Sequence, residues 1–204
     1  MADVHQAEVQ GKAINCTFLA WLHPAQPWTS FMWIFAYGSL IFRPAFSYLE
    51  RRRAYVQGWS RRFWQGSPDH RGVPEAPGCV VTLVPDPHGH CGGCAFRIDP
   101  AQSNGILRAI DTREQAGFSR QHLALLSAPG AQPFADGITW VASSQNPHFL
   151  GPLPEHTIAE MIATRSGPSG PNHEYATQLI VALRDLEILD DHVEMIVSHL
   201  DKIT

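Results

Sequence analysis

Residues 33–44 read Trp-Ile-Phe-Ala-Tyr-Gly-Ser-Leu-Ile-Phe-Arg-Pro. An uncharged run of strand-formers enters Tyr37-Gly38-Ser39, and the apolar run resumes at once with Leu40-Ile41-Phe42. A surface turn would carry Asn, Asp or Pro at that break. Glycine inside such a run instead marks a bulge or a close approach to the backbone. Trp33 to Tyr37 therefore reads as a buried strand whose C-terminal end presents backbone. There, Gly38 and Ser39 let consecutive N–H groups converge on a carboxylate or an oxyanion, although a simple β-bulge would use the same residues.

Working outward, further strands are predicted over Tyr55 to Trp59, Cys79 to Val84, Gly93 to Ile98, His122 to Ser127 and Ile138 to Ala142. Pro85-Asp86-Pro87-His88-Gly89 reads as the turn between the third and fourth of these six. Helical periodicity places Ile106, Leu107 and Ile110 on one face of Ser103 to Asp111, with Ser103 or Asn104 as cap. Glu155 to Arg165 aligns Ile158, Met161 and Ile162 and stops at Gly167-Pro168. Asn172 to Asp185 starts on an N-cap residue and repeats Tyr175, Leu179 and Leu183 beside Ala176 and Ile180. The last helix starts at Asp191, pairs it with Glu194 as in a capping box, and aligns Val193, Ile196, Val197 and Leu200. Strands first and helices last make the fold class α+β: a small barrel-like sheet with helices packed on it.

The chain has 204 residues, of which 44% are hydrophobic, enough for one domain with a sizeable core. A net charge of -4 argues against a nucleic-acid surface, and the Glu50-Arg51-Arg52-Arg53 cluster reads as a solvated turn or strand edge. No apolar stretch is long enough to span a membrane. Residues 1–32 differ from the rest and read as a loosely attached extension, with one domain over 33–204. Their start is acidic where a secretion signal needs a basic one. Four cysteines without framework spacing fit a reduced, cytoplasmic protein. His88-Gly89-His90-Cys91-Gly92-Gly93-Cys94 has the residue types of a zinc or redox site, but no second Cys or His pair follows. A Gly-rich hairpin carrying two thiols accounts for it as well.

Asp111-Thr112-Arg113-Glu114-Gln115-Ala116-Gly117-Phe118 crowds charge against an apolar stretch at a helix end. There the helix dipole and desolvation would both raise the pKa of Glu114, as a general base working near neutral pH requires. A solvated Arg–Glu pair would have the same spacing. Ser67, Asp69, His70 and Arg71 lie too close in sequence for a catalytic triad and read as a hydrogen-bonded loop bracing a site.

Together, FAYGSLIFRPAF, WSRRFWQGSPDHRGVPEAPGCVVTLV, IDTREQAGF, NPHFLGP and GPSGPNHEYATQL resemble the ChaC-like family of glutathione-specific γ-glutamylcyclotransferases. The resemblance runs from residue 33 to the C-terminus in the same order. It implies a small mixed β-barrel with flanking helices. It also implies cleavage of glutathione into 5-oxoproline and Cys-Gly without metal or cofactor. The implied γ-glutamyl-binding residues are Ile34, Phe35, Ala36, Tyr37, Gly38, Ser39 and Leu40, and the implied catalytic acid/base is Glu114. Tyr175 is a candidate pocket wall, or an ordinary core tyrosine. The sequence departs from the family pattern at Ala36 (usually glycine), Phe42 (tryptophan), Gln115 (lysine) and Phe118 (tyrosine). Cys91-Gly92-Gly93 stands where the family has a Trp-Gly strand start. Two other readings follow: turnover of different γ-glutamyl amino acids or amines, and a non-catalytic γ-glutamyl-binding regulator.

Overall fold

In the computed structural model, residues 32–114 and 116–203 are described. The extension expected at residues 1–32 lies outside them except for Met32, which opens the first strand opposite Ile98. Five strands close a barrel: β1 (Met32–Ala36), β2 (Glu50–Ser67), β3 (Gly78–Ile98), β4 (Phe118–Leu126) and β5 (Pro133–Ala142). Their order is β1-β3-β2-β4-β5, and a parallel β1–β5 pair closes a set of otherwise antiparallel ladders. The barrel is therefore mixed, as expected. Helix α1 (Ser103–Arg113) links β3 to β4. Helices α2 (Glu155–Thr164), α3 (Asn172–Asp185) and α4 (Asp191–Leu200) pack on one another, with α2 and α3 against β3 and α4 against β2. A two-stranded ribbon, β6 (Ser166–Gly167) and β7 (Gly170–Pro171), joins α2 to α3.

The Pro85–Gly89 segment is not a turn between two strands. β2 and β3 form one long ladder, and a break in register from Gln57↔His90 to Trp59↔Pro85 places residues 86–89 in a bulge opposite Gly58. Gly58 has φ +83°, which suits glycine. Polar side chains bind the bulge to β2: Ser60 donates to Asp86 at 2.6 Å and Gln57 to the Gly89 carbonyl at 3.0 Å. The turn chemistry is thus satisfied within a continuing strand. The true β2–β3 connection is residues 68–77, which carries Asp69-His70-Arg71. The expected Cys91/Cys94 hairpin is also replaced by strand interior, and Glu50-Arg51-Arg52-Arg53 is the exposed start of β2.

The helices form where the apolar periodicity puts them, but three caps differ. α1 is preceded by Gln102 without a side-chain cap, and Ser103 Oγ donates to the Pro100 carbonyl instead. Asn172 does not cap α3: its side chain accepts from Cys79 N at 2.6 Å and donates to Cys79 O at 2.8 Å, pinning the helix start to β3. At α4 the cap is Asp190, which accepts from Val193 N, while Glu194 pairs with Arg184. The buried faces of α3 and α4 include every apolar position expected except Val197, which is half-buried.

Candidate active site

β1 ends at Ala36, and a 3-10 turn (Ser39–Ile41) begins three residues later. Its first internal bond runs from Ile41 N to the Gly38 carbonyl at 3.0 Å. The amides ahead of that bond have no place in the turn's own ladder. A side chain at Gly38 would sit 3.0 Å from the Val81 methyl and 3.1 Å from the Tyr175 hydroxyl, so glycine lets the loop approach both. Tyr37 is anchored at both ends: its hydroxyl donates to the Trp140 carbonyl at 2.6 Å, and its carbonyl accepts from Arg61 Nε at 2.8 Å.

This loop forms one wall of a cavity of about 240 Å³. Phe35, Tyr37, Gly38, Ser39, Leu40 and Tyr175 all line it, whereas Ile34 and Ala36 do not. Alternation along β1 explains the split, since neighbouring strand residues face opposite sides. Ile34 and Ala36 are buried off the cavity, so the γ-glutamyl-binding set expected from the sequence loses its two even-numbered strand members as lining residues. Tyr175 serves both readings offered for it. Buried in α3, it packs edge-on against Phe42 and Phe63 and accepts from Val81 N at 3.3 Å.

Glu114 is far from the loop in sequence but lines the same cavity. It caps α1, its N–H bonded to Ile110 O at 2.8 Å, and its side chain is only 20% exposed. One turn earlier, Asp111 accepts from Arg120 Nε and Trp140 Nε1, each at 2.9 Å, clamping the end of α1 to the barrel. Burial raises the pKa of Glu114; Arg113 and His70 oppose the shift, and Asp69 adds to it. The Arg113–Glu114 pair also exists, at 3.6 Å, but it is half-buried at the cavity wall, not solvated.

Arg113 does more than its sequence position suggests. It donates to Ser39 Oγ at 2.8 Å and to the Arg43 carbonyl at 3.0 Å, so one side chain ties the loop to the residue beside Glu114. The Asp69–Arg71 loop braces the cavity, as expected. His70 bridges Ser169 Oγ (3.2 Å) and the Arg113 carbonyl (3.3 Å), and Arg71 N donates to Ser67 Oγ at 3.1 Å. Arg71, almost wholly buried, donates to Pro171 O at 2.9 Å and lies 3.5 Å from Glu174. Behind Glu114, Asn146 donates to Ala116 O at 2.7 Å and accepts from Gln65 at 3.2 Å. Gly117, at φ +81°, leaves room for it, because a Cβ there would lie 2.4 Å from Asn146 Nδ2. No sequence period marks these long-range contacts; only the motifs containing them were visible.

Among the described residues, no group of three or more His, Cys, Asp or Glu side chains could hold a metal ion. Cys91 and Cys94 are buried free thiols, each pushed up to about 11 by desolvation. No helix among the described residues is long and apolar enough to cross a membrane.

A family model described as ChaC-like protein matches residues 32–203. The chain belongs to the ChaC-like family. It is 38% identical over 171 residues to glutathione-specific γ-glutamylcyclotransferase 1 of Homo sapiens, covering 82% of this chain and 77% of that protein. It is 33% identical over 179 residues to the glutathione-specific γ-glutamylcyclotransferase of Schizosaccharomyces pombe, covering 79% and 88%. A crystal structure of the glutathione-specific γ-glutamylcyclotransferase from yeast superposes with a TM-score of 0.78 at 26% identity, covering 84% of this chain and 96% of that one. Relative to the family pattern, the departures at Phe42 and Phe118 line the cavity, while Ala36 stays off it.

Proposed function

We propose that this protein cleaves glutathione into 5-oxoproline and Cys-Gly, with Glu114 as the acid/base. The observation that carries the reading is the juxtaposition of a desolvated carboxyl and the Tyr37-Gly38-Ser39 loop in one cavity. Membership of the ChaC-like family and likeness to glutathione-specific relatives support the substrate.

The chemistry needs little beyond this arrangement. The α-amine of the γ-glutamyl group attacks its own γ-carbonyl, forming a C–N bond in a five-membered lactam and breaking the C–N bond to Cys-Gly. Both reacting atoms belong to one molecule, so holding them folded together can supply an effective molarity of about 10⁵ M or more. Glu114 takes the proton that the ammonium must lose, then returns it to the departing amine. A raised pKa suits both halves, since the carboxylate is a better base and its acid is not too weak. Backbone N–H groups at Gly38 and Ser39 stabilise the oxyanion, a contribution of about 3 kcal/mol per donor. Phe35, Tyr37, Leu40 and Tyr175 wall the site and exclude water from the charges.

The same proposal includes a reducing, cytoplasmic setting, supported by the free thiols of Cys79, Cys91 and Cys94. The test is 5-oxoproline release from glutathione and, in parallel, from γ-glutamyl-alanine. Release from glutathione with at least about tenfold lower kcat/KM for γ-glutamyl-alanine is the expected result. Equal turnover of both would replace glutathione with γ-glutamyl amino acids in general. Release from neither would leave a γ-glutamyl-binding regulator.

A further inference from the structure

The guanidinium of Arg61, in β2, is completely buried, and each of its three nitrogens is hydrogen-bonded. Nε donates to the Tyr37 carbonyl at 2.8 Å and Nη1 to Asp190 Oδ2 at 2.9 Å. Nη2 reaches Cys91 Sγ at 3.3 Å and the Gly92 carbonyl. A buried ion pair is a poor source of stability, because well-packed apolar side chains do as well or better in its place. What an apolar side chain could not do is hold the Tyr37 carbonyl.

That carbonyl belongs to the peptide that opens the loop. In a trans peptide the C=O and the following N–H point to opposite sides. Arg61 does not line the cavity, whereas Gly38 does. A Tyr37 carbonyl held toward Arg61 therefore directs the Gly38 N–H the other way, toward the cavity. Glycine accepts either orientation of this peptide almost equally, so the residue that permits the loop does not select its direction. The Tyr37 ring fixes only the side chain, through Trp140.

We propose that Arg61 is a positioning residue for the cyclisation: it locks the Tyr37–Gly38 peptide with its N–H toward the developing oxyanion, and Asp190 anchors the guanidinium from the start of α4. The inference rests on the γ-glutamylcyclotransferase reading of the same cavity. The guanidinium fork matters, because a lysine ammonium cannot reach Tyr37, Asp190 and Gly92 in fixed directions together.

The test compares unsubstituted protein, Arg61→Lys, Asp190→Asn and Ile196→Ala, measuring kcat and KM for glutathione together with thermal midpoints. Ile196 is buried in α4 and is a control for loss of stability alone. Asparagine still caps a helix, so Asp190→Asn keeps α4 while weakening the anchor. The expected result is a kcat lower by about tenfold or more in Arg61→Lys, with KM changed by less than about threefold. Asp190→Asn should lose kcat in the same direction by a smaller factor, and Ile196→Ala should keep kcat per folded molecule. The proposal is overturned if Arg61→Lys keeps full kcat, or loses it only in step with folded protein. Should Arg61→Lys fail to fold, an unchanged kcat in Asp190→Asn overturns it. No 5-oxoproline from the unsubstituted protein sinks the reaction itself, and this inference with it; normal turnover with insensitive variants sinks the inference alone.

Discussion

Glu114 is held between opposing influences. Burial raises its pKa, while Arg113 at 3.6 Å pulls it back toward the ordinary carboxylate range. As a base it must be ionised, so kcat should rise with pH through that raised pKa. The acid limb of the pH–rate profile is then expected above the usual carboxylate range. Arg113→Gln removes the closest cation and releases Ser39 and the Arg43 carbonyl together. Its acid limb should move to higher pH, and kcat/KM should fall by about tenfold, roughly 1.4 kcal/mol; an unmoved limb would show that Arg113 does not act on the carboxyl. Stability carries the opposite sign. A carboxyl whose folded pKa is raised stabilises the native state below its unfolded pKa, and that contribution is lost as pH rises through the folded value. Replacing Glu114 by Gln removes the buried charge, so the variant's thermal midpoint should gain on that of the parent as pH rises from about 4 to 8. A gain that shrinks with pH would contradict the burial argument.

At the scale of elements, the site depends on contacts that join segments far apart in the chain. Asn146 holds the turn after Glu114, and Gly117 makes space for it at φ +81°. Gly117→Ala adds a side chain in a left-handed conformation costing about 1–2 kcal/mol, besides the collision with Asn146. It should lower both the thermal midpoint and kcat, checked by calorimetry and 5-oxoproline release; unchanged values would mean that the turn does not position Glu114. Asn172→Ala leaves two buried backbone groups of Cys79 without their partner, at a cost of at least about 2 kcal/mol. For a chain of this size that lowers the thermal midpoint by about 4–8 °C; a shift below 1 °C would mean that water replaces the amide. These elements also show what could be read in advance. The apolar periods of α1 to α4 were legible because burial repeats along a helix. Asn172 was misread as a cap because a local rule favours it there, and a long-range partner on β3 took the side chain. The Pro85–Gly89 residues signalled a break in regular pairing, but whether the chain reverses or bulges depends on what lies opposite. Gly58 and Ser60 decide that, from another strand.

In the whole molecule, closure of the barrel brings the β1 loop, the β2–β3 connection, the end of α1 and the start of α3 to one cavity. The parallel β1–β5 pair that completes the closure joins residues about a hundred positions apart, such as Trp33 and Gly137. No local pattern specifies that pairing, so the mixed-barrel expectation came from family resemblance more than from periodicity. The loop and Glu114 stood out in their local sequence and took their roles from the resemblance, whereas Arg61, Arg113 and Asn146 acquire meaning only once the barrel is closed. Closure also sorts β1 by face, putting Phe35 and Tyr37 on the cavity and Ile34 and Ala36 away from it. The central claim is that this cavity cyclises the γ-glutamyl group of glutathione with Glu114 moving the proton. Its most direct test is 5-oxoproline and Cys-Gly release by the unsubstituted protein and by Glu114→Gln, on glutathione, with folding of both verified by circular dichroism. Equimolar products from the parent and a rate at least about 10²-fold lower in the variant are predicted. Full turnover by a folded Glu114→Gln protein would contradict the account.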